Sequence, residues 1–131
     1  MKRWWALTVF ALAMAPSLTL AEGAALEVAC EATRVCDADG DCVASTEQVV
    51  FRLEPIKIGP EGVGTYTINY GEIFVRAKKV APLGPFLWRE AGNDLQSLVR
   101  DGPSPGMLWH RFTPDDPPGS QVIFLTCEAI G

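Results

Sequence analysis

The chain has 131 residues, 11 lysines and arginines against 16 aspartates and glutamates, and a formal charge of −5. This balance argues against nucleic acid and anionic membrane as partners, because both repel a negative surface. The length suits one domain with one modest core.

The N-terminus joins Lys2 and Arg3 to an uncharged run from Trp4 to Ala21 that closes in Thr19-Leu20-Ala21. A basic start, an apolar centre and small residues at −3 and −1 are what signal peptidase recognises, so residues 1–21 are expected to be a signal peptide cut after Ala21. A retained membrane anchor competes for the same run, but Pro16 and Ser17 break its end. Lipid attachment at Cys30 is not expected, since Glu22 and Glu27 intervene. Removing residues 1–21 from 131 leaves 110, and losing Lys2 and Arg3 takes the charge from −5 to −7. Residues 22–131 are expected to form a single domain, periplasmic or secreted, with no membrane span in the mature chain.

Next comes Leu26–Cys36, where Leu26, Val28, Cys30 and Ala32 alternate with Glu27, Glu31 and Thr33. An Asp/Gly turn, residues 37–41, follows. Further strands are predicted at Gln48–Glu54, Thr65–Tyr70, Glu72–Val80, Phe86–Glu90, Leu95–Arg100, Met107–Thr113 and Gln121–Ala129, separated by Gly, Pro and Asp clusters. A period of two with one apolar face means a sheet buried on one side. About eight short strands with hairpin connections predict an all-β fold: a small antiparallel meander barrel, with a β-sandwich as the alternative.

Four cysteines in an exported chain of this size read as two disulfides. Cys36 and Cys42 flank the acidic turn and can bond across it, leaving Cys30 to Cys127, first strand to last. Pairings of Cys30 with Cys36 or Cys42 stay open. Inward residues are even in the first strand and odd in the second, so the even sum of 36 and 42 requires a bulge or a diagonal reach. The absence of any Cys-x2-Cys pair and the single histidine, His110, argue against zinc and against a thioredoxin-type centre. No metal and no cofactor is expected.

Asp37, Asp39 and Asp41 have the spacing that opens a calcium loop. An EF-hand needs glycine at its sixth position and an acid at its twelfth, which here are Cys42 and Gln48. The stretch reads as a turn in which Gly40 supplies positive φ. His110 lacks a nucleophile or second acid nearby in sequence, so it reads as structural and the chain as a non-enzyme. Tyr66, Trp88 and Trp109 are core-filling residues by default, and in a barrel they are also the candidates to line a hydrophobic ligand cavity. Lys78, Lys79, Arg89 and Arg111 read as outward, solvated charges.

A cysteine in the first strand (Cys30) and another in the last (Cys127) resemble the layout of small exported proteobacterial barrels, among them the C-type lysozyme inhibitor family. The resemblance covers residues 26–130 in outline. It implies an eight-stranded periplasmic barrel and inhibition through a loop. The nearest counterpart of that family's loop is Gly62-Val63-Gly64-Thr65-Tyr66, which makes Gly62, Gly64 and Tyr66 the candidate interaction loop. The expected function is therefore an exported binding module for a basic periplasmic or extracellular protein. A small hydrophobic-ligand barrel is the alternative.

Overall fold

Nine strands and no helix organise the described chain, which in this computed structural model comprises residues 25–101 and 105–130. The predicted signal peptide and its cleavage site lie outside the described residues. The strands are β1 (Leu26–Asp37), β2 (Cys42–Ala44), β3 (Gln48–Ile58), β4 (Gly64–Tyr70), β5 (Ile73–Lys79), β6 (Phe86–Arg89), β7 (Leu95–Arg100), β8 (Gly106–Thr113) and β9 (Gly119–Ala129). Each from β3 to β9 pairs antiparallel with the next, and β1 closes the ring by pairing with both β9 and β3. The result is a closed eight-stranded antiparallel barrel, the predicted fold class; the sandwich is ruled out by the continuous ring. Closure leaves no long unpaired edge along β1 or β9.

β2 is the one strand the sequence pattern missed. It pairs with the upper half of β1 as a short forerunner of β3, interrupted at residues 45–47. Between the pairs Glu31↔Gln48 and Arg34↔Ala44, β1 advances three residues and its partner four. That extra residue is the bulge that Cys36 and Cys42 require in order to face each other, and they are directly opposed. β3 also runs four residues further than predicted, through Pro55, which the strand tolerates because its register with β4 shifts between Pro55 and Lys57.

A second bulge lies in β1 itself. The pairing with β9 steps from Ala32↔Leu125 to Arg34↔Phe124, and the skipped Thr33 hydroxyl donates to the Phe124 carbonyl at 3.2 Å. Inward positions are therefore even up to Ala32 and odd beyond it, so Val35 packs on the core while Cys36 takes the opposite face.

Both preferred disulfides are present. Cys30 bonds to Cys127 across the β1–β9 seam, 97 positions apart, and Cys36 bonds to Cys42 across the acidic turn. Two disulfides fit an oxidising, non-cytoplasmic location. Inside the ring, Phe51, Leu53, Ile68 and Leu98 are wholly buried, and each such side chain contributes about 1.5–3 kcal/mol by leaving water.

Candidate functional site

Tyr66, Trp88 and Trp109 sit on the inner faces of β4, β6 and β8 and are buried. Their polar atoms are satisfied within the barrel. The Trp88 indole N–H donates to the Tyr70 hydroxyl at 3.2 Å, the Trp109 indole N–H to Gln96 Oε1 at 2.7 Å, and the Tyr66 hydroxyl to the Gly62 carbonyl at 2.6 Å. Burial pushes the Tyr66 phenol pKa up, which keeps it a donor. Trp109, Tyr70 and Phe51 meet edge-on or tilted at centroid distances of 5.1–5.3 Å. These rings pack against one another as core.

The proposed loop residues serve the turn between β3 and β4. Gly62 is buried under the Tyr66 hydroxyl. Gly64 has φ of +148°, and a Cβ there would collide with the Lys57 carbonyl oxygen and lie 2.9 Å from Ile58 Cα. Glycine is needed because β3 and β4 approach so closely. Tyr66 points inward and Gly62 is buried, so the exposed part of the turn is Gly59, Pro60 and the acid Glu61.

In an antiparallel meander every second connection falls at the same end. Residues 38–41, 71–72, 90–94 and 114–118 therefore gather at one end of the barrel. All four carry carboxylates, namely Asp39 and Asp41, Glu72, Glu90 and Asp94, and Asp115 and Asp116. The sequence pattern puts Glu72 and Glu90 at strand ends and the aspartates in separate turn clusters; the topology assembles them into an acidic rim.

The β1–β2 turn is the most constrained part of this rim. Asp37 Oδ1 accepts from the backbone N–H of Asp39 and of Asp41, both at 3.0 Å, and Gly40 takes φ of +85° as predicted. The Cys36–Cys42 bond clamps the base. Val43 beside it is 66% exposed. Among the described residues, no group of three or more His, Cys, Asp or Glu side chains comes together as a metal ion would need.

Within the rim, Glu90, Gln96 and Arg111 occupy the barrel mouth. Arg111 was expected to point outward. Register instead pairs it with inward Gln96, and its guanidinium lies 4.9 Å from the Trp109 ring centroid and 3.9 Å from Glu90 Oε2. The cation gains the ring face and the carboxylate without full burial. Glu90 Oε1 and Gln96 Nε2 are buried without a protein partner.

Burial raises the Glu90 pKa most, Asp94 adds to it, and Arg111 opposes it. A raised carboxyl pKa means that folding is penalised when Glu90 is charged. The penalty is fully present above the folded pKa and is relieved as pH falls toward the ordinary value. Urea midpoints of the wild type should therefore rise relative to Glu90→Gln as pH is lowered through this window. A constant difference between the two proteins would contradict the assignment.

On the outer wall, His110 Nε2 lies 2.7 Å from Ser120 Oγ, a pairing in keeping with a structural histidine. A shallow depression on β3–β5 is lined by Arg52, Glu54, Thr67, Asn69 and exposed Phe74, with Arg52 and Glu54 joined at 2.9 Å. No helix among the described residues is long and apolar enough to cross a membrane. No protein-family model, curated protein or solved structure matches the chain.

Proposed function

We propose that the protein is an exported, periplasmic or secreted, binding module without chemistry of its own, and that it recognises a basic protein with the acidic end of its barrel. The observation that carries this reading is the gathering of carboxylates in all four connections at one end of a disulfide-closed barrel. A predominantly acidic rim, in which Arg111 offsets only Glu90, steers a positively charged partner and selects against acidic ones. The clamped 37–41 turn adds preorganisation, which reduces the ordering cost of binding. The packing of Phe51, Tyr70 and Trp109 against one another inside the ring favours recognition at the surface over a hydrophobic ligand inside.

Lysozyme is the first basic protein to test, given the resemblance of the Cys30 and Cys127 layout to lysozyme inhibitors. Neutralising the rim with Asp39→Asn, Asp41→Asn, Asp115→Asn and Asp116→Asn together should slow association about tenfold at low salt, read by surface-immobilised binding kinetics. Lysozyme activity left unchanged by micromolar excess of protein would reject the inhibitor form. Pull-downs from periplasmic extract that recover the same partners with wild type and the neutralised variant would reject the acidic end as the binding face.

A further inference from the structure

The opposite end of the barrel is unlike the rest of the surface. The pairs Lys57↔Thr65↔Lys78 and Ile58↔Gly64↔Lys79 bring the three described lysines together at the lower ends of β3, β4 and β5. None of them is in an ion pair among the described residues. Lys57 and Lys78 are exposed, whereas Lys79, expected to point outward, is half-buried on the inward parity of Ala77 with its Nζ 5.5 Å from the Phe86 ring centroid at the lower mouth of the barrel. Exposed aliphatic side chains surround them: Ile58, then Val80 and Leu83 in the following connection, with Leu83 78% exposed. Two of the lysines adjoin in sequence, but Lys57 joins them only through strand pairing.

We propose that this corner docks the protein onto an anionic phospholipid surface, with Leu83 and Val80 entering the interface and Lys57, Lys78 and Lys79 meeting the headgroups. Its composition selects the occupant. Protein interfaces are enriched in aromatic residues and arginine and depleted in lysine. Aliphatic tips ringed by lysines suit a lipid interface, where long cationic side chains keep their charge at headgroup level while their stems lie along apolar surface. The adjoining turn contributes a carboxylate, Glu61, against the three lysines.

The negative charge of the whole chain does not oppose this at close range. The seven residues of β5 hold the acidic rim roughly 15–20 Å away, about twice the screening length of ~8 Å in physiological salt. Docking of this kind does not rest on the partner proposed for the acidic rim, and it leaves that rim facing away from the bilayer.

The test is flotation of the exported, oxidised protein with vesicles of phosphatidylglycerol and phosphatidylethanolamine, against vesicles of phosphatidylcholine alone. Binding to the anionic vesicles should be released by high salt. Lys57→Glu, Lys78→Glu and Lys79→Glu together should weaken it at least about 100-fold. Leu83→Asp, at an exposed tip where folding is not at stake, should weaken it about tenfold. Near-UV circular dichroism checks that each variant keeps its packing. Absence of anionic-vesicle binding overturns the proposal. So does binding that survives both variants, which would assign it to another segment, and so does capture of an acidic protein by this corner without vesicle binding.

Discussion

Replacing Cys30 and Cys127 together by alanine should lower the free energy of unfolding by about 4–5 kcal/mol, while the same change at Cys36 and Cys42 should cost about 2 kcal/mol. The difference follows from loop length, because one bond spans 97 positions and the other 6. A crosslink shrinks the unfolded ensemble more when the loop it closes is longer. The long bond also sits on the β1–β9 seam, whose release would convert a closed ring into an open sheet with two edges. Urea unfolding of the two double variants under non-reducing conditions gives the comparison. Equal losses, or a larger loss at the short bond, would mean that β1–β9 pairing closes the ring unaided.

The second large effect is expected at Phe51. Its ring is wholly buried, 5.1 Å from Tyr70 and 5.2 Å from Trp109 by centroid. Those neighbours are held by polar bonds to Trp88 and Gln96, so they cannot easily collapse into a vacated space. Phe51→Ala should therefore cost about 3–5 kcal/mol, and Phe51→Leu, closer in volume, about 1–1.5 kcal/mol. Chemical denaturation measures both. A cost under about 1 kcal/mol for Phe51→Ala would indicate room in the interior and would revive the hydrophobic-ligand alternative.

The barrel was legible because alternation together with regularly spaced turn clusters marked out its eight ring strands, and Cys30 and Cys127 marked the two that meet. β2 was not legible, since its three residues are all exposed and carry no apolar period. The parity conflict at Cys36 and Cys42 nevertheless required a bulge or a diagonal reach, and the chain uses a bulge. Tyr66 held two incompatible roles, as an inward residue of its strand and as the tip of an interaction loop. Strand parity prevailed, because a tyrosine on the inner face is buried wherever its loop lies. The acidic rim and the lysine corner went unseen for a different reason: each assembles residues far apart in the chain. Alternating hairpin ends could have foretold the rim, but Lys57 beside Lys78 depends on a register that the bulge at residue 56 sets.

The bulge at Thr33 bears on how the cysteines find their partners. If the chain is delivered N-terminus first into an oxidising compartment, Cys30, Cys36 and Cys42 become available long before Cys127. Cys36 has its correct partner at hand, whereas Cys30 has only wrong ones. In a formed β1, six residues separate Cys30 from Cys36 by about 20 Å, and the bulge turns the two thiols to opposite faces. The short hairpin can therefore oxidise early and alone, leaving Cys30 reduced until the last strand arrives. The separation, far beyond a disulfide's reach, keeps Cys30 from Cys36 once β1 has formed, and the turned faces add to it.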